Sequence, residues 1–150
     1  MATETVNHVA PLLESATPSM KPVEISFPLP RTPHTNVHIH LTLMAKSTMV
    51  FLSTTNTGDS SSTLKPMGSF VYAMPDRTNI RSTISTALFT SPGSIDYATR
   101  TAKILARRMN IPVYVGCNID PVLTESTIEE EMEGFSKIID TIIRQWENRE

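Results

Sequence analysis

The run Val37-His38-Ile39-His40-Leu41-Thr42-Leu43-Met44 constrains the fold more than any other stretch, because its odd positions are all aliphatic and its even positions mostly polar. Strand side chains alternate between two faces, so a period of two predicts a β-strand with one strongly apolar face. Lys46 and Ser47 interrupt it, and Thr48-Met49-Val50-Phe51-Leu52-Ser53 follows, rich in β-forming types and apolar on both faces. A hairpin of two strands is expected.

Other segments extend the sheet. Val23, Ile25 and Phe27 alternate with polar residues, and Pro28, Pro30 and Pro33 after them predict an extended loop, since proline excludes both helix and central strand. A polar stretch at residues 56–62 leads to a third alternating run at Phe70, Tyr72 and Met74. Residues 83–90, with Ile84, Leu88 and Phe89, form another β-prone run that stops at Ser91-Pro92-Gly93.

From Ser94 the period changes. Ile95, Ala98, Ala102, Leu105 and Met109 recur at spacings of three and four, which predicts an amphipathic helix ending near Asn110. Pro112 forbids its continuation, and residues 111–117 alternate again as a last strand. Ser126 with Glu129 makes a capping-box pattern, and Ile128, Met132, Phe135, Ile139, Ile142 and Trp146 continue as one stripe. A second helix is therefore expected over about residues 127–147.

Five strands, a helix, a strand and a helix describe an α+β fold with a mainly antiparallel sheet. Two helices suffice for one face of such a sheet. Residues 49–52 are apolar on both faces, and Thr42 and Met44 lie opposite the most aliphatic face of their strand, so the uncovered face is not written for water and a partner chain is expected to cover it.

Composition bounds the rest. The 150 residues fit one domain, placed at residues 22–150, with residues 1–21 expected as a disordered tail. A formal net charge of −2 argues against nucleic acid and anionic membranes as partners, and no apolar run is long enough to span a bilayer. The single cysteine, Cys117, and the absence of a basic-then-apolar leader predict a reducing compartment, cytosol or nucleus.

A search for chemistry finds recognition surfaces instead of a reaction centre. His38 and His40 share one side of a strand, a spacing that can supply two metal ligands, but no third ligand is marked out nearby. No metal and no cofactor is expected. Cys117 lacks a C-x-x-C mate and reads as a buried or interface thiol. Gly93 precedes a helix without either glycine-rich phosphate motif. With no nucleophile–base set or paired catalytic carboxylates, the chain is expected not to be an enzyme. Two surfaces stand as candidate partner-binding sites: the mixed face of His38, His40, Thr42 and Met44, and the basic helix face of Arg100, Lys103 and Arg107.

The stretches Thr101-Ala102-Lys103-Ile104-Leu105-Ala106-Arg107-Arg108, Val113-Tyr114-Val115, Asn118 and Ile128-Glu129-Glu130-Glu131-Met132-Glu133-Gly134-Phe135 resemble the proteasome assembly chaperone 4 family. The resemblance extends from Val37 to Phe135, specific in its last third and a match of pattern before it. It implies a six-stranded antiparallel sheet with helices on one face, joined through the other face to a related sheet. It also implies a heterodimer with assembly chaperone 3 that holds α-type subunits, especially the fifth, during 20S proteasome α-ring assembly. The family's contacts are not a short motif, so no binding residue is carried over. The sequence ends Glu147-Asn148-Arg149-Glu150, without the hydrophobic-Tyr-any tail of other proteasome chaperones, so docking is expected to use a folded surface. The alternative is a non-catalytic adaptor subunit of another complex on a similar scaffold.

Overall fold

A computed structural model describes residues 21–59, 65–121 and 127–149. The expected tail at residues 1–21 lies outside them except for its last residue, and so does most of the polar stretch after Asp59. Six strands, β1 (Val23–Leu29), β2 (Thr32–Leu43), β3 (Thr48–Asn56), β4 (Ser69–Pro75), β5 (Thr83–Phe89) and β6 (Val113–Cys117), form one sheet in the order β1-β2-β3-β6-β4-β5. Helix α1 (Ile95–Met109) joins β5 to β6, and α2 (Ile128–Glu147) ends the fold. The β3–β6 pair is parallel and every other pair antiparallel, so the sheet is mixed but mainly antiparallel, as expected.

The hairpin follows its hydrophobic register. Ile39 lies opposite Leu52 and Leu41 opposite Val50, so the aliphatic residues of both strands share one face. Burial alternates along β2 and β3 accordingly: Val37, Ile39, Leu41, Val50 and Leu52 are enclosed, while the residues between them are half-buried. Val71, Ala73, Val113 and Val115 complete this face, and Tyr97, Ala98, Leu105, Ile138 and Ile142 of the helices pack on it as one core. Lys137 of α2 lies over the Phe27 ring at 4.7 Å, and Arg31 at the β1–β2 turn reaches Glu133 at 2.8 Å, which places α2 over the β1 side of the sheet. Helix α1 packs against β4, β5 and β6.

Three local expectations change. Pro28 and Pro33 stand inside β1 and β2 where a loop was expected, because β1 is an edge strand and β2 pairs with β3 only from Thr35 onward, so neither proline removes a ladder hydrogen bond from the sheet interior. The capping box is Thr127 with Glu130, one residue later than Ser126 and Glu129: Thr127 Oγ1 accepts from the Glu130 N–H at 3.2 Å, and the Glu130 carboxylate accepts from the Thr127 N–H at 3.2 Å. Finally, the stripe of α2 is buried only from its middle onward, through Gly134, Ile138, Ile139, Ile142 and Ile143. Ile128 and Met132 remain 77% and 61% exposed, while Glu130 and Glu131 line a cavity with Leu29 and Val37.

Candidate interaction face

The sheet surface opposite the helices carries the candidate site. Pairing of β2, β3, β6 and β4 sets His40, Phe51 and Phe70 on one rung of this surface and Tyr114 and Tyr72 on the next, where the rings meet as one continuous row of contacts. Ring centroids are 6.3 Å apart for His40 and Phe51, 6.0 Å for Phe51 and Phe70, 6.0 Å for Phe70 and Tyr114, and 4.8 Å for Tyr114 and Tyr72. Phe51 and Phe70 are not on neighbouring strands. Both lie opposite Gly116 of the intervening β6, and the absent side chain lets their rings stack nearly parallel, 2° apart, across it. A Cβ on Gly116 would come within 2.5 Å of Phe51 Cδ1.

These rings are half-buried, so the row is a continuous aromatic surface that is only partly withdrawn from water. Met49 and Met74 stand on the same face, adding pliable apolar area. Polar groups occupy the β1 side. His38 bridges two neighbouring strands, its Nδ1 2.8 Å from Ser26 Oγ and its Nε2 2.7 Å from Thr55 Oγ1. His40 Nε2 is enclosed and has no hydrogen-bond partner among the described residues.

Of the residues singled out from sequence, His38, His40 and Thr42 lie together on this face, Thr42 opposite Met49. Met44 lies beyond the end of β2, where its N–H donates to the Ser47 carbonyl at 3.0 Å in the hairpin turn. The basic helix residues divide. Arg100 is held within the chain by Glu131 at 2.7 Å, with Tyr97 and Phe135 5.7 and 5.3 Å from its guanidinium carbon. Lys103 and Arg107 are exposed and line a groove with Arg81. The aromatic row itself was invisible as a row: Phe51 was marked by apolarity on both faces of its strand and Phe70 and Tyr72 by alternation, but their meeting depends on β6 entering between β3 and β4.

Two buried titratable groups belong to the core. Cys117 is fully buried, and burial pushes its thiol up to about 12, so it stays protonated and poorly nucleophilic at neutral pH. Burial likewise raises the Tyr97 hydroxyl, a core group. Among the described residues no three His, Cys, Asp or Glu side chains converge as a metal site would require.

A family model described as proteasome assembly chaperone 4 matches residues 36–119, more than half of the chain. Among solved structures, a chain from the crystal structure of a novel chaperone complex for yeast 20S proteasome assembly superposes with a TM-score of 0.56. The match covers 85% of this chain and 94% of that chain at 16% identity, a likeness of fold. A search of curated proteins finds no match.

Proposed function

Because the chain belongs to the proteasome assembly chaperone 4 family, we propose that it is a non-catalytic half of a heterodimer with assembly chaperone 3, whose sheet packs on the aromatic face described above. The pair then holds α-type subunits, especially the fifth, while the 20S α-ring is built. Its place of work is the cytosol or the nucleus, in keeping with a single, unpaired cysteine.

The observation that carries this reading is the row of five rings from His40 to Tyr72 on the sheet surface that the helices leave uncovered. Burying such a surface against a second sheet removes apolar area from water without requiring any change in the core. The likeness in fold to a chain of a yeast proteasome-assembly chaperone complex supports an assembly of this kind. Mixed polarity, with His38 and Thr42 beside the rings, suits a contact that forms and dissolves.

Replacing Thr42 with Arg tests the reading. The substitution leaves the helix-side core untouched and sets a charge beside Met49, where a packed partner would desolvate it at a cost on the order of several kcal/mol. Co-expression with assembly chaperone 3 followed by size exclusion should show the complex lost while circular dichroism remains unchanged. Complex at wild-type affinity would refute the assignment of the face. Outright unfolding would assign that face to the chain's own core.

A further inference from the structure

The two edges of the sheet are defended differently. Edge strand β1 contains Glu24 and Pro28, a charge and a missing donor of the kind that discourages pairing with foreign strands. Edge strand β5, Thr-Ile-Ser-Thr-Ala-Leu-Phe, has neither charge nor proline. Its Ile84, Leu88 and Phe89 are 50%, 53% and 60% exposed, and a register shift opposite Phe70 and Val71 leaves Leu88 out of the pairing with β4. An edge of this composition is a template for an added strand.

Beside the start of β5 the charge changes sign. A groove lined by Arg81, Ser82, Thr83, Lys103, Ile104 and Arg107 adjoins a hollow that holds Arg77, Ile80 and, again, Arg107. Arg77, Arg81, Lys103 and Arg107 form no ion pair among the described residues. The carboxylate in this hollow, Asp76, is engaged locally: it accepts from the Thr78 N–H at 2.9 Å and from Thr78 Oγ1 at 2.7 Å, which holds it below the usual carboxylate range. The carboxylate keeps its charge beside Arg77 and Arg107, but the groove itself gathers Arg81, Lys103 and Arg107 with no acidic residue, in a chain whose formal net charge is −2.

We propose that the open edge of β5 and this cationic groove together receive an extended acidic segment of a protein partner, added to the sheet as a further strand. Main-chain hydrogen bonds to β5 would supply the register, and carboxylates would meet Arg81, Lys103 and Arg107. The chemistry selects protein over nucleic acid. Ile80, 92% exposed, and Ile104 border the cations, and no aromatic residue lines either hollow as a stacking platform for bases. Ile84 and Phe89 lie opposite Met74 and Phe70, on the face of the aromatic row, so the added segment engages the main-chain edge of β5 and the cations on the α1 side, which leaves the sheet face free to be covered.

The probe is a fluorescein-labelled peptide of Glu-Val repeats, extended by preference and acidic along one side, titrated against the full chain by fluorescence anisotropy. It should bind at low salt, and the charge reversal K103E/R107E should weaken binding by about tenfold or more, the electrostatic loss expected of two cations facing carboxylates. Arg81→Ala is the milder companion should the double variant fail to fold. A peptide N-methylated at alternate residues should lose binding, because it cannot form the ladder, whereas Thr42→Arg should bind the unmodified peptide as the wild type does. Absence of binding, indifference to Lys103 and Arg107, or full binding by the N-methylated peptide would each overturn the proposal. So would equal competition by single-stranded DNA, which would mark the groove as a general polyanion site.

Discussion

Gly116 holds open the space on which the aromatic face depends. Its neighbours Phe51 and Phe70 close over it from either side, and Met67 Cγ would stand 3.2 Å from an added Cβ in addition to the 2.5 Å contact with Phe51. Gly116→Val should therefore push the rings out of register and destabilise the fold by about 1–3 kcal/mol, the range for overpacking. A lower urea midpoint with unchanged slope is the expected result, and a wild-type midpoint would show that the rings are free to move aside. Gly68 answers a different demand. Its φ of +81° and the Cys117 carbonyl oxygen 2.2 Å from a would-be Cβ together exclude any side chain where the chain enters β4. Neither glycine belongs to a recognisable motif, so their importance could be read only from what surrounds them.

Helix α2 depends on how it begins. Thr127 and Glu130 satisfy each other's N–H groups, and Glu129, Glu130 and Glu131 set negative charge at the positive end of the helix dipole. The same turns reach Arg31 through Glu129 at 3.8 Å and Glu133 at 2.8 Å, but these pairs are exposed and contribute little beside the cap. Thr127→Ala should cost about 1 kcal/mol, readable as a fall in the thermal midpoint, while Glu129→Gln should cost much less, since Glu129 is exposed and outside the cap. Equal effects of the two substitutions would contradict the observed cap. Helix α1 ends in the opposite manner: Asn110 turns into the left-handed region at φ 57°, and its N–H donates to the Ala106 carbonyl. Ser94 opens α1 without a side-chain cap; its hydroxyl stands 2.9 Å from Ser69 Oγ and accepts from the Ser69 N–H at 3.1 Å, tying the helix start to β4.

At the scale of the molecule, the core among the described residues runs from Val37 to Ile143, with Val23 packed against it. Residues 1–20 mix Thr, Glu, Ser and Pro with only a brief apolar patch, so removing them should leave the thermal midpoint nearly unchanged, checked by differential scanning calorimetry of the shortened chain. Loss of soluble protein or a fall of several degrees would mean that the removed segment contributes to the fold. What could be read directly from the residues was local: the period of two in β2, the β-forming composition of β3, the period of three and four in α1, and the breaks at Pro92 and Pro112 that separate them. From those periods followed the α+β class, the mainly antiparallel sheet and the identity of its apolar face, because alternation and amphipathicity express which side of each element meets the core. The order of the strands was not local. Only the tertiary structure inserts β6, parallel to β3, between β3 and β4, and that insertion aligns Phe51, Gly116 and Phe70 and sets β5 at an edge beside Arg81, Lys103 and Arg107. Pairing between strands distant in sequence depends on which hydrogen-bonding edges remain free and on how the helices cover one face, and neither is written in the period of any single segment.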